Sequence, residues 1–143
     1  MSATFKTIEH TADIGVEVEA AGEPELFEGA GLAMFSLMAD VSRVRPSGTR
    51  HLSLEAGDHV ELMFRWLNEL LFISDSEKML LSDFDVEIRE GGNGMIFLEA
   101  DAAGERMDEH RHSLLQEIKA ATYHEMEVSL KEGRWFARVI FDV

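Results

Sequence analysis

The chain has no cysteine, which removes disulfides, thiolate metal sites and cysteine nucleophiles from consideration. Proline is scarce, with two residues in 143, while 45% of the chain is hydrophobic. Such a chain can close one core and is short for two ordinary domains, so one domain over residues 1–143 is expected. Basic residues are also few: 13 Lys and Arg stand against 28 Asp and Glu, for a formal charge of −15. That balance repels phosphate backbones and anionic lipid, so direct nucleic-acid binding is not expected, and it suits cations or a basic protein partner. No apolar run reaches the roughly 20 residues of a membrane span. The richest stretch, 60–73, is interrupted by Glu61, Arg65, Asn68 and Glu69. Neither does a basic segment followed by an apolar core open the chain as a signal peptide would, so no membrane association is expected and the cytoplasm is the expected location.

What is present reads as strands broken by two helices. Ile14, Val16, Val18 and Ala20 alternate as a half-buried strand, preceded by a weaker one over Phe5–His10. Pro24 suits a first helical turn, and Leu26, Phe27, Ala30, Ala33, Met34, Leu37 and Met38 recur at helical spacing to about Ala39. A loop over Ser42–Thr49 leads to the alternating Leu52, Leu54 and Ala56. Asp58 with Glu61 marks a second helix start, and the helix is expected to run to about Ser74 with its polar residues in one narrow stripe. Phe84, Val86, Ile88, then Gly91-Gly92-Asn93-Gly94, then Ile96, Leu98 and Ala100 predict a hairpin. Residues 101–112 read as loop, and Leu114–Tyr123 fits either helix or extended chain. Met126, Val128 and Leu130 alternate, Glu132-Gly133 turns, and Trp135–Phe141 forms a last strand. Without strict βαβ alternation, the expected fold is α+β: a mainly antiparallel sheet with two amphipathic helices packed on one side.

Chemistry is sparse and concentrated at the two ends of the chain. Asp13 opens one strand, Asp142 closes another, and the Val143 carboxylate adds a third oxygen donor, a set suited to Ca²⁺ or Mg²⁺ with water completing the shell. Asp13 reads equally as a turn residue bonding backbone N–H groups. Lys119 and His124 sit in a polar interruption, Lys119-Ala120-Ala121-Thr122-Tyr123-His124, where Lys119 suits phosphate or a carboxylate and both also read as ordinary surface or edge residues. His10, His110, His112 and His124 form a weak transition-metal set, since no HExxH arrangement supports it. The Gly91–Gly94 run lacks the lysine and following helix of a phosphate loop, and no nucleophile elbow is present. A small metal-dependent hydrolase using Asp13 and Asp142 remains the alternative to a binding protein.

Four motifs occur in order along the whole chain: His10-Thr11-Ala12-Asp13, Trp66-Leu67-Asn68-Glu69-Leu70-Leu71, Lys119-Ala120-Ala121-Thr122-Tyr123-His124 and Phe141-Asp142-Val143. In these the chain resembles the archease family, with alanine at 121 where the family often has valine. The resemblance implies a non-enzymatic activator of the RtcB-type tRNA-splicing RNA ligase, promoting attachment of GMP to that enzyme and multiple turnover. It implies a Ca²⁺ or Mg²⁺ site on Asp13, Asp142 and Val143, with His10, Lys119 and His124 as candidate functional contacts. The GTP of the reaction would be used by the ligase and not bound here.

Overall fold

A computed structural model describes the backbone of residues 3–10 and 13–143, and all side chains among them except those of Glu9 and His10. Thr11 and Ala12 of the first motif, and the His10 side chain, lie outside the described residues.

Seven strands and two long helices follow in the order β1 (Thr4–His10), β2 (Asp13–Ala20), α1 (Glu23–Met38), β3 (Gly48–Ala56), α2 (His59–Glu77), β4 (Met79–Glu90), β5 (Ile96–Arg106), β6 (Ala120–Lys131) and β7 (Arg134–Asp142). A short 3₁₀ turn over Val41–Arg43 follows α1 and overlaps the start of the stretch read as loop. The strands form two antiparallel sheets, β1-β2-β7-β6 and β3-β5-β4, instead of the one sheet expected. Both helices touch both sheets: α1 packs on β2 and β4, α2 on β6 and β3. The α+β class with two helices packed on antiparallel sheet therefore holds, and each sheet is covered on one side.

The middle layer explains why α1 is apolar almost all round. Leu26, Phe27, Ala30, Ala33, Met34 and Phe35 are all buried, so the helix has sheet on two sides. Pro24 stands in its first turn, as its missing N–H allows. In α2 the Asp58 side chain accepts from Glu61 N at 2.8 Å, and Glu61 Oε1 accepts in return from Gly57 N at 2.8 Å. Trp66 is fully buried and its indole N–H donates to Phe27 O at 2.8 Å, joining the helices without leaving a polar atom unpaired.

One stretch departs from expectation, and one that the sequence left open is decided. Residues 101–106 continue β5 as the central strand of its sheet, because Ala100, Ala102 and Gly104 alternate inward but are too small to give a strong hydrophobic signal. Residues 113–119 are irregular, not helical, with one bridge of Leu114 to Ala39, their backbone tied off by bonds such as Leu115 N to Met38 O and Asp40 N to Ser113 O, and Ala120–Tyr123 joins β6.

Candidate cation-binding end of the four-stranded sheet

The β1-β2-β7-β6 sheet turns Val16, Val18, Ala137, Val139 and Phe141 to the helices, so the alternate residues form its outer face. Three rows of that face can be read across the strands. Asp13 faces Asp142, which faces Ala120; Ile8, Gly15, Ile140 and Thr122 come next; Lys6, Glu17, Arg138 and Glu127 form the third. The chain's first and last motifs thus meet at one sheet end, with His10 opposite Asp13 in backbone register.

Directly opposed cross-strand residues hold their Cβ atoms roughly 4.5–5.5 Å apart on one face. Two carboxylates so placed repel unless a cation lies between them. Among the described residues neither has a cationic partner within ion-pairing distance, in contrast to the third row. There Glu17 accepts from Arg138 at 2.9 Å and from Lys6 at 3.2 Å, and Lys131 meets Glu127 at 2.9 Å. Arg138, then Lys6, holds the Glu17 carboxyl below its ordinary range, and Lys131 does the same for Glu127.

The middle row supplies an apolar floor. A Cβ on Gly15 would lie 2.7 Å from Ile140 Cδ1 and 2.8 Å from Ile8 Cγ1, so glycine lets these two isoleucines close over the strand beside the carboxylates. Val143, the residue that follows Asp142, is partly buried against the core, and its main-chain oxygen is the third donor of the expected set. Two carboxylates and a main-chain oxygen are a hard donor set compatible with Ca²⁺ or Mg²⁺, both of which take further ligands from water. No group of three or more His, Cys, Asp or Glu is placed to hold a metal among the described residues, so the fit rests on two carboxylates and backbone oxygen.

The other candidate contacts divide. Lys119 donates its backbone N–H to Asp142 O at 2.9 Å, while its exposed side chain borders a groove of about 770 Å³ between α2 and residues 107–119. His124 is exposed in the irregular part of β6 and pairs with Glu125 at 3.2 Å. Among the described residues the histidines His110, His112 and His124 form no metal-holding group. His112 is buried elsewhere, its Nδ1 accepting from Asp108 N at 2.9 Å and its Nε2 facing Glu105 at 2.9 Å, which fixes the proton on Nε2.

Sequence reasoning placed Asn68 in a solvent-facing stripe and so missed it. Its carboxamide turns to β6: Nδ2 donates to Ala121 O at 3.1 Å, and Oδ1 accepts from Ala121 N at 3.0 Å. The sequence signal was an asparagine, a poor helix former, inside an otherwise strongly helix-forming apolar run.

The Archease protein family (MTH1598/TM1083) matches this chain over residues 5–143. The protein archease of Pyrococcus abyssi is 37% identical over 94% of this chain and 95% of its own. That of Methanothermobacter thermautotrophicus is 40% identical, covering 97% and 98%. The solution structure of Methanobacterium thermoautotrophicum protein 1598 superposes with a TM-score of 0.85 at 40% identity, covering 97% of this chain and 98% of that one. The crystal structure of a Thermotoga maritima archease, described as a possible chaperone, shares the fold with a TM-score of 0.62 at 21% identity, covering 96% of each chain.

Proposed function

The chain belongs to the archease family, and we propose that it is a protein cofactor that activates an RtcB-type RNA ligase in tRNA splicing or RNA repair, working through a divalent cation held by Asp13, Asp142 and Val143. The observation that carries this reading is the cross-strand register of Asp13 and Asp142. Two acids fixed opposite each other across a sheet form a preorganised oxygen pair whose repulsion a cation relieves. The strands hold the pair on a rigid edge, so the chain presents the site outward as a unit instead of rebuilding it on contact. Lys119 is tied to Asp142 through its backbone N–H, and its side chain is offered along the groove beside α2. A bound Ca²⁺ or Mg²⁺ would supply a local positive charge able to organise anionic or oxygen-bearing groups of the partner. The chain as a whole carries a formal charge of −15, which suits a basic, RNA-binding enzyme.

The test is GMP attachment to a purified RtcB-type ligase, and RNA joining, with substoichiometric wild type, Asp13→Ala, Asp142→Ala and the double variant. Each single variant is expected to lose activation while melting as a folded protein, and the double variant to lose no more, since an emptied site cannot be emptied twice. Full activation by folded Asp13→Ala overturns the cation-centred reading. Nucleotide or RNA hydrolysis by the isolated protein, abolished by the same substitutions, would instead favour a metal-dependent hydrolase.

A further inference from the structure

From the geometry around β6 we infer that Asn68 is a positioning residue for the Asp13/Asp142 end of the sheet, its carboxamide acting as the strand neighbour that edge strand β6 lacks. The inference rests on the cation-binding reading above.

Strand β6 is an edge of its sheet, with β7 on one side only. Its register against β7 is interrupted between Thr122 and Glu127, and the interruption includes Glu125 in the left-handed region at φ 51°. The end next to Asp142 is therefore a short piece of three pairs, Ala120 with Asp142, Ala121 with Phe141 and Thr122 with Ile140. Irregular chain precedes it and a bulge follows it, so the ladder on either side does little to hold it. Ala121 is buried, and its N–H and C=O both turn toward α2. Asn68 takes both, an acceptor for the N–H and a donor for the C=O, as a paired strand would. Its second amide hydrogen goes to Phe64 O at 2.9 Å, so every hydrogen-bonding direction that fixes the group is used and a flipped amide would oppose donor to donor. One turn earlier on the same helix face, Phe64 stacks on Tyr123 with ring centroids 3.8 Å apart and planes 4° from parallel.

Residues 64 and 68 of α2 thus grip residues 121 and 123 of β6, and residues 119 and 120 bear on Asp142 through the Lys119 N–H and the Ala120 pairing. If the piece slips or frays, the support on one flank of Asp142 goes with it. Asn68 touches neither a ligand nor a carboxylate; it acts through the backbone of β6.

The experiment is calorimetric titration of Ca²⁺ into metal-free wild type, Asn68→Leu, Asp13→Ala and Leu70→Ala, with amide hydrogen exchange of residues 119–122. Leu70 is fully buried in the same helix, so its truncation lowers stability without touching β6's edge. Asn68→Leu is expected to weaken Ca²⁺ at least tenfold and to speed exchange at 119–122, whereas folded Leu70→Ala keeps wild-type affinity. Should Asn68→Leu fail to fold, Asn68→Ser, too short to span the gap, carries the same expectation. Wild-type affinity in a folded Asn68 variant overturns the positioning role while the cation reading stands. A wild type that binds no Ca²⁺, or binds it equally as Asp13→Ala, overturns the cation reading and with it the claim that Asn68 serves it.

Discussion

Glu105 shows how a single carboxylate can hold a loop. It accepts from Arg45 N at 2.8 Å, faces His112 Nε2 at 2.9 Å and pairs with the Arg111 guanidinium, so it ties residues 108–112 and the chain before β3 to the end of β5. The His112 hydrogen bond first, then the Arg45 amide and the Arg111 pair, lower its pKa from 4.5 to about 2. Because the folded value lies below the unfolded one, its contribution is present above about pH 4.5 and is lost as pH falls toward 2. Glu105→Gln is therefore expected to lower the melting temperature at pH 7 and to shrink the difference between pH 5 and pH 2.5. Thermal melts of both proteins across that range check it, and parallel curves would show that the carboxylate is not what responds. Asp13 and Asp142 were legible as individual residues because oxygen donors at strand ends stand out in a chain without thiols. That the two ends meet was expected as well, and the pairing of Asp13 with Asp142 agrees with it. What could not be read was the strand order and exact register that bring them together, since register between the second strand and the last depends on how the whole sheet assembles.

At the scale of the elements, periodicity located what it could. The second helix, its Asp58 cap and the Gly91–Gly94 hairpin were readable because capping chemistry and turn residues are local. Division into two sheets was not, because a strand's alternation says which face is buried and not which neighbours it has. The continuation of β5 was hidden for a related reason: its inward residues are Ala102 and Gly104, and the glycine is required by close approach. A Cβ at 104 would lie 1.9 Å from Leu80 O, where β4 and β5 pair through an irregularity between Leu81 and Asp83. The obstacle is backbone, which cannot rotate away as a side chain can. Gly104→Ala should destabilise the protein by about 2 kcal/mol or more, although Ala is the better residue for an unstrained strand. Leu67→Ala in α2, where the side chain is fully buried, should cost about 2–5 kcal/mol through lost transfer energy and a cavity. Urea melts separate the two, because the clash at 104 can be relieved by moving a strand whereas the cavity at 67 sits between two sheets; losses below about 1 kcal/mol in either variant would contradict its argument.

Across the whole molecule, the negative charge is unevenly spread. On the outer face of the four-stranded sheet acids alternate with Lys6, Arg134 and Arg138, but the outer face of β3-β5-β4 carries Glu55, Asp83, Asp85, Glu87, Glu99 and Asp101 against Arg89 and His51. Register sets Asp85 opposite Asp101 and Glu87 opposite Glu99, pairs that destabilise the free protein. His51 offsets part of this, lying 3.0 Å from Asp101 and 3.2 Å from Glu99, and the Asp101 hydrogen bond raises its pKa above the usual imidazole range. A face of one sign attracts a basic partner at distances beyond contact, an attraction that falls off over about 10 Å at 0.1 M salt. If the proposed RNA-ligase partner is the right one, its rate of association, measured with excess Ca²⁺ throughout, is therefore expected to drop about tenfold or more between low and high sodium chloride. Replacing Asp85 and Glu87 together by lysine should slow association at low salt, flatten that dependence and leave the melting temperature unchanged or slightly higher, because two like-charge oppositions are removed. Stopped-flow association of wild type and the double variant over a salt series measures both effects. Equal rates for the two at low salt would show that this face does not guide the encounter, and would leave the Asp13/Asp142 end as the part of the surface that the partner reads.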